Sequence, residues 1–117
     1  MKNFKKLQVW QESVSLVTKL YIELKGLPQS ERYGLYSQMT RAAVSIPSNI
    51  AEGMVKPTVK DKIKFLHIAN GSCVEMRTQT YIGIKIGYIP NEIGLCWVKE
   101  TKEISSMLVG LINSIQE

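Results

Sequence analysis

The chain has a single histidine, two cysteines and no long uncharged hydrophobic run among its 117 residues, and each scarcity excludes something. It carries no glycine-rich phosphate loop, no nucleophile elbow and no spaced ligand cluster, so the sequence offers no support for the common catalytic machineries. A zinc site needs three or four converging ligands, and His67 stands alone; a surface or half-buried helix position is its expected role, with no metal and no cofactor implied. The stretch from Tyr81 to Val98 is the most apolar late segment. Lys85, Pro90, Asn91 and Glu92 interrupt it, which excludes the roughly 20-residue uncharged span of a membrane helix. The start, MKNFKKLQVWQ, has no apolar signal-peptide core, which gives the expectation of a cytoplasmic protein whose Cys73 and Cys96 stay reduced. Trp10, Tyr81, Tyr88 and Trp97 are too scattered to form a base-stacking platform. Asn70-Gly71-Ser72 fits a glycosylation sequon but lies within a predicted helix.

What is present describes one globular domain, with 44% apolar and 21% charged residues. The formal charge is +5 and unevenly spread: residues 1–64 hold 11 basic and 5 acidic side chains, residues 65–117 hold 4 and 5. Such a skew suits a polyanion-facing side as well as a plain solvated surface.

Apolar spacing predicts four helices and no strand. Leu7, Trp10, Val14, Val17, Tyr21 and Leu24 recur every three or four residues and predict a first helix over about 4–25, ended by Gly26 in a left-handed cap and by Pro28. Ser30 is the expected N-cap of a second helix over about 31–54. Its main apolar face is Leu35, Met39, Ala42, Ile46 and Ile50; Tyr36, Ala43, Val44, Pro47 and Ala51 make another, and between Tyr33 and Ala51 the only charge is Arg41. A helix apolar on two sides is buried on two sides, which in so small a bundle implies a partner subunit. Thr58 and Asp61 predict the start of a third helix over about 59–86, with Ile63, Leu66, Ala69, Cys73 and Met76 inward and Gly87 and Pro90 at its end. Asn91 is the expected cap of a fourth helix over about 91–115, with Ile93, Trp97, Ile104, Leu108, Leu111 and Ile115 as its seam. Short connections then predict an all-α, antiparallel up-and-down four-helix bundle.

Two polar groups stand out. On helix two, Gln38, Arg41, Ser45, Ser48 or Asn49, and Glu52 stack along one edge, and Ser72, Glu75 and Gln79 have the same spacing on helix three. An Arg41–Glu75 ion pair inside a register-setting network is one reading; an anion or ligand site at a subunit seam is the other. Pro47 removes one helical hydrogen bond, predicting a kink that Ser45, Ser48 and Asn49 can help satisfy. The second group is basic: Lys56, Lys60, Lys62 and Lys64 fall within nine residues, opposed only by Asp61, and Lys2, Lys5 and Lys6 share their rim in an up-and-down topology. These lysines are the candidate contacts to RNA or DNA phosphates, and a solvated helix start is the bland alternative.

The segments FKKLQVWQES, LPQSERYGLYSQMTRAAVSIPSNIAEG and FLHIANGSCVEMRTQTYIGIKIGYI resemble the bacterial four-helix bundle family also called 23S rRNA intervening-sequence proteins. The resemblance spans about Phe4 to Ile89 and implies an antiparallel four-helix bundle that assembles as a ring-like homopentamer without an established enzymatic activity. By position it carries the family's motif onto Arg41, Ser45, Asn49, Glu52 and Gly53, and onto Gly71, Ser72 and Glu75. After Gly53, where the family usually continues with an aromatic and an arginine-rich turn, this chain has Met54-Val55-Lys56-Pro57. A more distant likeness in fold, to the accessory variability protein of diversity-generating retroelements, implies nucleic acid as a ligand class and a reverse transcriptase as a kind of partner. The expectation is therefore a non-enzymatic homo-oligomer with a lysine-rich rim for RNA or DNA; a protein-interaction scaffold with incidental charge is the alternative.

Overall fold

The computed structural model describes residues 3–116, within which the chain is built of four α-helices and no strand. They are α1 (Gln8–Lys25), α2 (Leu35–Met54), α3 (Val59–Lys85) and α4 (Asn91–Gln116), with 3-10 turns at Phe4–Lys6 and Gln29–Glu31. The molecule measures 45 × 20 × 18 Å, close to the roughly 40 Å length that α3 alone requires. Consecutive helices pack side by side, α1 also touches α4, and α2 with α3 share the most extensive contact.

The ends of the helices follow local chemistry, in places other than the sequence suggests. Thr58 caps α3 as expected, its hydroxyl accepting from the Asp61 amide at 3.2 Å. At the other end Gly87 takes φ 82°, a left-handed turn that lets the amides of Tyr88 and Ile89 both reach the Gly83 carbonyl, at 3.0 and 3.1 Å. Gly26, by contrast, is right-handed at φ −84°, and its amide closes a tightened last turn on the Glu23 carbonyl at 3.1 Å. The first helix is also shorter than its periodicity. Leu7 is extended and separates α1 from the turn at Phe4–Lys6, whose Phe4 ring packs edge-on to Trp10 with centroids 5.4 Å apart.

Ser30 caps nothing, because α2 starts only at Leu35. The Glu31 carboxylate supplies the cap instead, accepting from the Leu35 amide at 3.2 Å, and a Cβ at Gly34 would collide with that carboxylate. Asn91 is likewise the first residue of α4 and not its cap; the Pro90 carbonyl accepts the Gly94 amide at 2.9 Å. α2 runs unbroken through Pro47. Ser48 and Asn49 bond back to the carbonyls of Val44 and Ser45, each at 2.8 Å, in the turn beside the missing proline donor.

The core takes its residues from all four helices, but α1 is rotated from the predicted seam. Val9, Ser13, Leu16, Leu20 and Leu24 are buried, whereas Trp10, Val14 and Val17 are half-buried and Tyr21 is 48% exposed. Both combs have helical spacing; packing takes the leucine-rich one inward, and Ser13, its one polar member, is tolerated there because its hydroxyl donates to the Trp10 carbonyl at 2.8 Å. On α2 the core face is wider than its main comb: Tyr36 and Ala43 join Met39, Ala42, Ile46 and Ile50 inside, and Leu35 is half-buried. Val44 remains exposed, with Pro47 and Ala51 half-buried. The inner face of α3 does not fade at Thr80 and Gly83, both buried; Thr80 bonds its own helix at the Met76 carbonyl, 2.8 Å away. Trp97, Ile104 and Leu108 bring α4 into the same core, while Ile93, Leu111 and Ile115 are half-buried.

Glycines set how closely α2 and α3 approach. A Cβ on Gly53 would lie 3.0 Å from the Phe65 Cβ and 3.1 Å from the Lys62 carbonyl oxygen, whereas one on Gly71 would meet nothing within 4 Å. We therefore expect Gly53→Ala to lower the unfolding free energy by roughly 1–3 kcal/mol through overpacking. Gly71→Ala should raise it by roughly 0.5–1 kcal/mol through helix propensity. Urea denaturation of the two variants measures both signs.

Candidate functional site

Polar residues of α2 and α3 meet across the seam between the two helices. Ser72 Oγ donates to Ser45 Oγ at 2.9 Å, and Asn49 Nδ2 donates to the same oxygen at 2.8 Å. This three-residue cluster follows from spacing: Ser45 and Asn49 are one turn apart on α2, and Ser72 is a small residue on the facing turn of α3. Toward solvent the seam opens into a groove of about 430 Å³, lined by Gln38, Arg41, Ser45, Glu75 and Gln79 together with Ala42. The buried Gln79 Oε1 accepts no hydrogen bond among the described residues.

The predicted ion pair is absent. Arg41 and Glu75 line the same groove, yet both are exposed and no Arg41–Glu75 contact falls within 4 Å among the described residues. An exposed pair gains little over water, so each charge remains hydrated at the groove's edge. Glu52 leaves the line as well: its carboxylate faces Lys56 at 3.6 Å on its own helix side. The network is thus hydroxyl and amide in character, with charge only at its margin.

The lysines divide into two kinds. Lys62 Nζ donates to the Met54 carbonyl at 3.0 Å and so satisfies one of the open carbonyls at the end of α2. Lys56 lies over the Phe65 ring, 4.9 Å from its centroid, besides facing Glu52. Both hold the α2–α3 turn. Lys60 and Lys64, one turn apart on α3, are exposed and make no ion pair among the described residues; the same is true of Lys5 and Lys6. Lys2 lies outside the described residues.

Other polar contacts between helices were not readable beforehand. Trp97 Nε1 donates to Glu23 Oε1 at 2.8 Å, Lys19 pairs with Glu100 at 2.6 Å, and Arg77 reaches Thr101 Oγ1 and Ser105 Oγ at 3.1 and 3.0 Å. The partners stand 24 to 81 residues apart, and no local pattern marks them. Cys73 is buried and free, and burial pushes its thiol up to about 11, so it stays protonated and unreactive at neutral pH. Cys96 is free and exposed.

These contacts rank the seam's residues. Ser72→Ala should cost about 1 kcal/mol by leaving the Ser45–Asn49 cluster a partner short. Arg41→Ala should stay within about 0.5 kcal/mol, as expected of an exposed, unpaired side chain. Thermal and chemical denaturation of both variants check the order.

Comparison with known proteins agrees with this architecture. No curated protein matches the chain. Among solved structures, a protein of unknown function from the S23 ribosomal protein family of Bacteroides thetaiotaomicron VPI-5482 superposes with a TM-score of 0.82. The two are 24% identical over 89% of this chain and 97% of that one, a likeness of fold. The family model described as 23S rRNA-intervening sequence protein matches residues 5–110. With a match that extends over nearly the whole sequence, the chain belongs to the 23S rRNA-intervening sequence protein family.

Proposed function

We propose that this protein is a non-enzymatic, homo-oligomeric bundle that holds the backbone of RNA or DNA through exposed lysines at one end. The observation that carries the reading is the pair Lys60 and Lys64, exposed on one face of α3 and without ion-pair partners among the described residues. Lys62 and Lys56 are spent on the turn beside them, so of the lysines proposed for this end Lys60 and Lys64, with Lys5 and Lys6, carry the free charge. Such lysines grip phosphates without reading bases, since a flexible ammonium is a point charge and not a planar fork. The family's name, which refers to sequences intervening in 23S rRNA, makes structured RNA the first ligand to try.

An antiparallel, up-and-down course brings the two lysine groups to one rim. Contacts between helices support it: Gly53 faces Phe65, Ser45 bonds Ser72, and Gly83 lies against Leu35, so positions fall on α2 as they rise on α3. The same opposite drift relates Glu23 with Trp97 and Lys19 with Glu100 between α1 and α4. Self-association rests on unfinished apolar surface. Half-buried Trp10, Val14 and Val17 on α1, and Val44, Pro47 and Ala51 on α2, are the residues a second copy covers. A pentameric ring would repeat the lysine rim five times and turn a modest charge into a multivalent one.

Fluorescence anisotropy with a labelled RNA hairpin across a salt series tests this reading. We expect affinity to fall linearly on a log-log plot, and K60S/K64S to reduce that slope by about 1 to 2 while light scattering shows an unchanged oligomer. Undetectable binding at low salt, or a flat salt dependence, overturns it.

A further inference from the structure

A second surface lies along the α3–α4 seam, away from the Lys60–Lys64 pair. Two grooves of about 520 and 500 Å³ share Tyr81 and Leu95 in their linings and so form one valley. Along α4 it extends from Asn91 to Ser106, about 22 Å, or some four helical turns. Its apolar lining is unusually open for large side chains: Tyr81, Ile82 and Leu95 are 44%, 48% and 46% exposed. Contiguous apolar exposure of this kind, with a polar margin, marks an interaction surface.

The margin is basic. Lys85, Lys99 and Lys102 line the valley, Glu103 is its one carboxylate, and none of the four makes an ion pair among the described residues. One turn from Tyr81, Arg77 crosses the seam half-buried, held by the hydroxyls of Thr101 and Ser105 and, among the described residues, by no carboxylate. A partly desolvated guanidinium without an anion is a group that an incoming carboxylate would stabilise. A phosphate backbone would meet the basic margin but leave the exposed Tyr81, Ile82 and Leu95 uncovered, and a second copy of a chain with charge +5 brings like charge to that margin.

We infer that the α3–α4 valley docks an acidic amphipathic helix of a partner protein, its apolar stripe on Tyr81, Leu95 and Val98 and its carboxylates against Lys85, Lys99, Lys102 and Arg77. Helix-in-groove recognition needs this combination of apolar trough and complementary rim. The site is independent of the phosphate-binding lysines, so either reading can fail without the other.

The test uses the full chain and a fluorescent 18-residue helical peptide, leucine at i, i+3, i+4 and i+7 spacing with glutamate elsewhere. Two controls replace every glutamate with lysine or every leucine with serine. We expect the leucine–glutamate peptide to bind at least tenfold more tightly than either control. K85Q/K99Q/K102Q and Leu95→Asp should each weaken it about tenfold or more, whereas K60S/K64S leaves it unchanged. Equal binding of the lysine peptide, no detectable binding at 50 mM salt, or unaltered affinity in the valley variants overturns the inference. So does a loss of oligomeric mass in K85Q/K99Q/K102Q, which assigns the valley to a second copy, or equal displacement of the peptide by RNA, which assigns it to nucleic acid.

Discussion

Close approach of α2 and α3 is the constraint on which the rest of this molecule depends. Gly53 allows the end of α2 to lie against the Phe65 side chain and the Lys62 backbone, and one turn-pair further along Ser45 and Ser72 bond directly across the seam. Larger residues at these places would push the helices apart and leave hydroxyls without partners. Because the seam is tight, Lys62 can reach the Met54 carbonyl and Lys56 can lie over Phe65, so the turn between the helices is fastened from both sides. Lys60 and Lys64 are left facing solvent as a consequence of that fastening.

Around the bundle the seams have different chemistry, and this separates its candidate roles. The α2–α3 seam is polar and internally bonded, which suits register; its exposed Arg41 and Glu75 add little to stability. On α1 and α2 apolar side chains such as Trp10, Val17 and Val44 remain half-buried or exposed, the surface that the proposed self-association would cover. The α3–α4 seam combines exposed Tyr81 and Leu95 with lysines and with Arg77, which makes no ion pair among the described residues. The proposed assembly, phosphate and partner surfaces would therefore lie on different parts of one small fold.

Much of the fold was legible because helices announce themselves by spacing and by their ends. Thr58 with Asp61, Gly87 and the comb Met39, Ala42, Ile46 and Ile50 each act as their local chemistry predicts. The errors have equally local causes. On α1 two combs have the same period, and only packing chose Leu16 and Leu20 over Trp10 and Val14. Ser30 looked like a cap, but a carboxylate four residues before Leu35 and a glycine that makes room for it do the capping. Of the candidate site, the Ser45–Asn49–Ser72 cluster was readable from spacing, whereas the commitment of Lys62 and Lys56 was not, since it depends on where a backbone carbonyl and a ring lie in space.

If the α2–α3 seam organises the molecule, it should also be its most persistent part. Native-state hydrogen exchange measures this directly. Amides between Ala42 and Ile50 on α2 and between Leu66 and Met76 on α3 should exchange only through global unfolding, while those of α1, which shares less contact with its neighbours, open at lower free energy. Protection in α1 equal to or greater than that in α2 and α3 would contradict the central place given to that seam.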